Sequence, residues 1–191
     1  MKQKLFFILL IIFTVKSFSQ DSKISFELNY PIPADNNFVG ENYNGVIDMG
    51  IDYKFVDLSS INIGTSMNMG VISSNSNLNL SYPNQKINSY LIQPRIFGEM
   101  NLAGIEKLHP SLGLGYTFMI FKAKDINDIS TIPSNTDSGF NFNFGIAYDV
   151  SDSFFVQIQY DFIKLNENDE LLNSTYNTNV NLVKIGLGYR L

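Results

Sequence analysis

Lys184-Ile-Gly-Leu-Gly-Tyr-Arg-Leu191 ends the chain, and the contrast between its two faces governs how everything upstream is read. Side chains alternate across a β-strand, so Ile185, Leu187, Tyr189 and Leu191 share one face while Lys184, Gly186, Gly188 and Arg190 share the other. One face is apolar and the other small or charged. Such a strand separates two media, and the question becomes whether the remaining strands repeat the contrast.

They do, in eight segments. Ile24, Phe26, Leu28 and Tyr30 alternate with Ser25, Glu27 and Asn29, and Ile47 to Phe55 alternate with Asp48, Gly50, Asp52 and Lys54. Ile61 to Val71 and Tyr90 to Met100 follow; in the latter Gln93, Arg95 and Glu99 form the polar face, with Leu91 and Phe97 as apolar exceptions on it. Pro110 to Ile120, Phe140 to Tyr148 and Val156 to Phe162 continue the pattern, the last with Gln157, Gln159 and Asp161 opposite. The final strand runs from about Asn179 to Leu191. Val180 and Leu182 fall on its polar face, which a bulge near Val183 would explain. Pro94 lies in mid-strand, where it removes a ladder donor, and predicts a local bulge or twist.

Links between the strands alternate in length. Short turns are expected at Asp57 to Ser60, Asn101 to Lys107 and Ser151 to Ser153; long polar loops at Pro31 to Asn44, Ile72 to Lys86, Lys122 to Ser138 and Leu165 to Asn177. Barrels of the outer membrane have short periplasmic turns and longer outer loops, with both termini in the periplasm when the strand number is even.

At the other end of the chain, Lys2 and Lys4 precede the apolar run Leu5 to Val15, and Ser17-Phe18-Ser19 offers a small-x-small cleavage site before Gln20. Residues 1–19 are therefore expected to be a signal peptide and residues 20–191 the mature domain. The apolar run is too short for the ~20 residues a spanning helix needs. The chain has no Cys, so disulfides, thiolate metal sites and a lipid anchor on an N-terminal Cys are excluded. Without Lys2, Lys4 and Lys16, ten basic residues stand against 18 acidic, a formal charge of −8 that argues against nucleic acid as a partner.

A soluble barrel or sandwich would show the same alternation. The choice turns on which face can be interior. An eight-stranded barrel has room inside only for interdigitated side chains. Here nearly all large aromatics, among 16 Phe and 10 Tyr, fall on the apolar face, whereas Gly, Ser and residues able to pair fill the other. The expected fold is all-β: a single eight-stranded antiparallel up-and-down transmembrane barrel, apolar outside and polar within.

These features carry a resemblance. Lys184, Gly186, Tyr189 and Leu191 resemble the C-terminal assembly signal of outer-membrane barrels, polar-x-Gly-x-x-aromatic-x-hydrophobic. The whole mature region resembles the small outer-membrane proteins of the OmpA-barrel and OmpX kind, the porin-family group with an outer membrane protein beta-barrel domain. Tyr90-Leu-Ile-Gln-Pro94 and Pro110-Ser-Leu-Gly-Leu-Gly115 resemble the strand pair common in its PorT-like branch. The resemblance implies location in the outer membrane of a Gram-negative bacterium, contact with its lipid, and handling by the barrel assembly machinery. It implies no single activity and no cofactor.

Candidate chemistry is sparse. His109 stands two residues from Ser111, the spacing of an outer-membrane lipid A deacylase family, but it lies beside a periplasmic turn on the lumen face, away from outer-leaflet lipid, with no orienting acid evident in the sequence. Asn166-Glu-Asn-Asp-Glu170 lacks the alternating acids and fixed Gly of an EF-hand and reads as a solvated acidic loop. No catalytic, cofactor or metal residue is assigned.

The inward charges are more informative. Glu27, Asp52 and Arg95 count to similar heights from the periplasmic ends, with Asp161 and Lys184 higher on adjacent strands. Enclosed charges must pair. Arg95 is therefore expected to pair with Glu27 or Asp52, and Asp161 with Lys184, filling and locking the barrel. The leading function is a non-enzymatic structural or surface-interaction role. The alternatives are a narrow pore for ions or small solutes and, after it, a lipid-modifying enzyme.

Overall fold

Every described strand pairs with its sequence neighbours, and the last returns to the first. The computed structural model describes residues 23–74, 85–125, 135–166 and 174–191. In it β1 (Ile24–Ala34), β2 (Tyr43–Leu58), β3 (Ile61–Ser74), β4 (Gln85–Met100), β5 (Leu108–Asp125), β6 (Asn135–Asp149), β7 (Phe154–Leu165) and β8 (Asn179–Arg190) form a closed barrel in sequence order, antiparallel throughout. The expected leader, residues 1–19, lies outside the described residues.

Closure is continuous along the seam. β1 and β8 pair without a register break from Ser25 opposite Arg190 to Ala34 opposite Asn181, and the amide of Leu191 donates to the carbonyl of Ile24 at 3.0 Å. On the other side, the Arg190 amide donates to the Ser153 carbonyl at 2.7 Å. Among the described strands no sheet edge is left for another chain to extend.

The strands are strongly staggered. Following cross-strand partners from Arg95 one way leads through Ser66, Asp52 and Ser25 to Arg190. The other way leads through Gly115, Asn141 and Ile163 to Val180. One circuit therefore shifts ten residues along β8, from Arg190 to Val180. With a rise of ~3.3 Å per residue and strands ~4.8 Å apart, this stagger over eight strands corresponds to a tilt of about 40°.

The two faces separate as the alternation predicts. Leu187 is 60% exposed and Lys184 is fully buried, three residues apart on one strand. Phe26, Tyr53, Leu114, Phe142, Ile158 and Ile185 are among the large apolar side chains on the outside. At the short-turn end the rings of Phe154 and Tyr189 meet edge to face at 4.9 Å. Among the described residues no helix is long and apolar enough to cross a membrane.

Two local expectations change. The register of β8 against both neighbours is unbroken through Val183, so no bulge lies there. Val180 and Leu182 are simply inside, at 0% and 1% exposure. The breaks lie in β2 instead, between Gly45 and Ile47 and between Lys54 and Val56. The first resets the alternation, so that Tyr43 turns inward and is buried although Met49 and Ile51, also odd-numbered, face out. Pro94 causes no register shift. The β4 to β5 pairing resumes at Arg95 opposite Gly115 in step with Ile92 opposite Phe118.

Three of the four long links are also shorter than expected, because their flanking residues continue the strands; the link from β7 to β8 keeps its expected length. Between β1 and β2 only a helical turn intervenes, α1 (Phe38–Asn42), whose start is capped by the Asn37 side chain accepting from the Gly40 amide at 2.8 Å. A second turn, α2 (Thr175–Thr178), precedes β8 and is capped by Ser174. The hydroxyl of Tyr176 on α2 donates to Glu41 on α1 at 2.8 Å, and this bond to a carboxylate raises the phenol's pKa.

Candidate functional site: a bonded lumen

From the loop end downward the interior changes character twice. At the loop end, Ile72, Leu91, Met119, Ile163, Val180 and Leu182 converge from five strands into an apolar core, and Val39 of α1 covers it from above. Tyr43 completes this layer from β2. Leu91 stands out in the sequence as an apolar residue on a polar face. Its role becomes clear only when the stagger brings the others to its level.

Below the apolar layer lies a connected polar lattice. Lys184 Nζ stands 2.9 Å from Asp48 Oδ2, 2.9 Å from Asp161 Oδ2 and 3.0 Å from Gln93 Oε1. Asp161 also accepts from Arg95 Nη2 at 2.7 Å and from Asn143 Nδ2 at 2.6 Å. Asp48 accepts at its other oxygen from Asn29 and Asn68, each at 3.1 Å, and Asn68 in turn accepts from Arg95 Nη1 at 3.2 Å. Thr117 ties in β5 through Gln93 at 3.2 Å and Asn141 at 2.9 Å. All eight strands thus contribute to the lattice.

Glycines make room for it. A Cβ on Gly115 would collide with the Pro94 carbonyl and with the stem of Arg95, so only glycine lets the guanidinium cross the barrel at this level. Gly188 does the same lower down, where a Cβ would fall inside the Phe155 ring. Phe155 is buried over that notch, and the Arg190 guanidinium lies 4.4 Å from its centroid.

The short-turn end holds a second charged group. His109 Nε2 lies 2.8 Å from Asp149 Oδ2, and its Nδ1 is 3.3 Å from Asn101 Oδ1. Arg190 also bonds Asp149, while Lys54 Nζ meets Glu99 at 2.5 Å. His109 therefore does have an acid beside it, supplied by β6 and invisible from local spacing. With Asn101 and Asp149 engaging both ring nitrogens, neither is presented to Ser111, and the pair is not arranged as a nucleophile and its base.

The sequence-selected residues are distributed through these layers. Arg95, Asp161 and Lys184 share the middle lattice, but Arg95 pairs with Asp161 across the lumen and not with Glu27 or Asp52. Heights counted from strand ends omit the stagger, which is why they point to the wrong partner. Glu27 instead accepts from Gln159 Nε2 at 3.0 Å, and Asp52 from Ser25 Oγ at 3.3 Å. Gly186, Tyr189 and Leu191 lie on β8 and its end, at the seam. Asp48, Glu99, Asp149 and Arg190 are not singled out by sequence reasoning. The signal for them is the same inward charge that marks Asp52. Of the acidic loop Asn166 to Glu170, only Asn166 lies within the described residues. Among the described residues no cluster of three or more His, Cys, Asp or Glu side chains could hold a metal ion.

An apolar outer wall around a bonded polar interior, with every backbone ladder closed, defines a transmembrane β-barrel. The outer membrane protein beta-barrel domain family matches residues 5–190, and the chain belongs to that family. It is an outer-membrane protein whose wall meets lipid. Solved structures with the same fold include Ail, the attachment invasion locus protein of Yersinia pestis, in complex with the heparin analogue sucrose octasulfate. That likeness has a TM-score of 0.56 at 14% identity over 88% of this chain and 96% of Ail. A major outer membrane protein from Thermus thermophilus is similar at TM-score 0.52, 12% identity, 88% of this chain and 99% of that one. OprG from Pseudomonas aeruginosa is similar at TM-score 0.51, 11% identity, 88% and 94%. No curated protein matches the sequence.

Proposed function

We propose that this chain is a non-enzymatic structural and surface-interaction protein of the outer membrane, with a sealed lumen. The observation that carries this reading is the stacking of two barriers on one axis. An ion crossing the barrel would have to break the Lys184 ion pairs to Asp48 and Asp161 and then traverse an apolar layer of fully buried side chains. Eight strands leave little room to open a water path through either barrier. Residues 184, 186, 189 and 191 act in this reading as the segment that the assembly machinery engages and that closes the seam.

Contacts with the environment fall to the loop end. Ail's complex with a sulfated heparin analogue shows what one protein of this fold binds, but an excess of 18 acidic over ten basic residues in the mature domain makes a polyanion a poor ligand here. A neutral or basic partner suits the surface better. The reading is tested in planar bilayers: the purified protein should give no single-channel events. Steady, ion-selective conductance from the folded wild type would replace this reading with a narrow pore.

A further inference from the structure

The charges of the lumen balance in its middle and fail to balance just below. Lys184 and Arg95 are matched by Asp48 and Asp161. Glu27 and Asp52 are left over, and among the described residues no ion pair reaches either. They project from paired strands, Ser25 standing opposite Asp52, and both side chains line one small cavity. Two carboxylates enclosed in one cavity repel and call for a positive charge between them.

A second feature points to the same place. Gln159 is 8% exposed, and its amide nitrogen donates to both oxygens of Glu27, at 3.0 and 3.3 Å. Its amide oxygen Oε1 is buried without a hydrogen-bond partner. Buried polar atoms are almost always satisfied, so an oxygen left bare on a residue that lines a cavity with two carboxylates marks a place for a cation or its water. Gln159, Glu27 and Asp52 line one small cavity of about 30 Å³, enough for a single ion or water.

The cavity also has an entrance. Glu99 and His109 line both this cavity and a wider vestibule of about 380 Å³ at the short-turn end. Above it the Lys184 lattice closes the barrel. We propose that the periplasmic half of the lumen is a blind shaft ending in a site for one hard divalent cation, held by the carboxylates of Glu27 and Asp52 and the amide oxygen of Gln159. Calcium fits this donor set, since it takes six to eight oxygens in flexible geometry. The carboxylates supply up to four, Gln159 one, and the hydroxyls of Ser25 and Ser66 with water from the shaft supply the rest. Arg95 lines the same cavity; its Nη2 is engaged by Asp161 and its Nη1 by Asn68, and its Nε, also without a partner, would take a water of the shaft and not the cation.

The site is tested on protein refolded in a zwitterionic detergent and stripped with a chelator. Calorimetric titration with calcium chloride at neutral pH should show one saturable site per chain, and calcium should raise the unfolding temperature. Glu27→Gln and Asp52→Asn should each weaken binding about tenfold or more and abolish the thermal shift. Glu41→Gln, far away on α1, should leave both unchanged. Variant folding is checked by the mobility difference between unheated and boiled samples. The proposal is overturned if the wild type binds neither calcium nor magnesium at millimolar concentration, or if binding survives the double variant. It is overturned equally if wild-type stability follows pH but not cation, because the two carboxyls would then share a proton. Conductance plays no part in these readouts, so a failure here leaves the sealed-lumen reading standing.

Discussion

Arg95 on β4 and Asp161 on β7 meet across the lumen at 2.7 Å, although three strand interfaces separate them around the wall. Asp161 is the hub of this contact, because Lys184 reaches the same carboxylate at 2.9 Å and Asn143 donates to it at 2.6 Å. Removing one partner of a buried pair strands the other.

Asp161→Ala should therefore cost more than Arg95→Ala. The first leaves two buried cations with only Asp48 between them, a loss of about 3–5 kcal/mol before water entering the gap reduces it. The second leaves Asp161 still paired with Lys184. Thermal unfolding in detergent should rank wild type above Arg95→Ala and Arg95→Ala above Asp161→Ala. A lattice that locks the barrel also predicts that Arg95→Ala stays non-conducting. A rise in conductance without loss of stability would make Arg95 a gate.

The apolar layer gives an independent test. Leu182 is 1% exposed inside the barrel, whereas Leu187 on the same strand is 60% exposed on the lipid side. Truncating a buried Leu leaves a cavity and costs about 2–5 kcal/mol. Leu182→Ala should lower the unfolding temperature clearly, and Leu187→Ala much less. Equal effects would mean that the layer is not a packed core.

How much of this is legible in the sequence follows from what alternation encodes. Period-two patterning assigns each side chain to a face, so the inward set from Glu27 to Arg190 and the outward set from Phe26 to Tyr189 can be read directly. It does not encode stagger, and a ten-residue shift around the barrel decides that Arg95 meets Asp161 and not Glu27. Nor does it say where along the axis the interior turns apolar. Val180 and Leu182 violate the polar frame because they belong to the plug, and a frame violation of that kind looks the same as a bulge. Of the two register breaks in β2, the one near Val46 is hidden because an inward Tyr43 and an outward one suit the pattern equally well.

Gly188 and Phe155 form a coupled pair. Because a side chain at 188 would occupy the space of the Phe155 ring, Gly188→Ala should reduce the folded fraction, while Phe155→Ala alone leaves a cavity. Combining them should recover part of the loss, since the added methyl then has room. Gel mobility of unheated samples across the four proteins measures the coupling. Simple additivity would mean that the glycine is needed for something other than this notch.

Deleting Gly188 to Leu191 removes more than a recognition segment. Those residues carry the seam pairs of Arg190 with Ser25 and of Tyr189 with Phe26, the bond from Leu191 to the Ile24 carbonyl, and the arginine that meets Asp149. Without them the periplasmic end of β1 becomes an unpaired edge, and its amides and carbonyls lie at the membrane boundary without partners. The truncated chain should reach the outer membrane in much lower amount, with the remainder degraded or aggregated in the periplasm. Arg190→Ala in the full-length chain keeps the backbone seam and separates the two contributions. It should assemble at near wild-type levels and unfold at lower temperature. Wild-type amounts of heat-modifiable barrel from the truncated chain would refute the role of the terminal strand in closure.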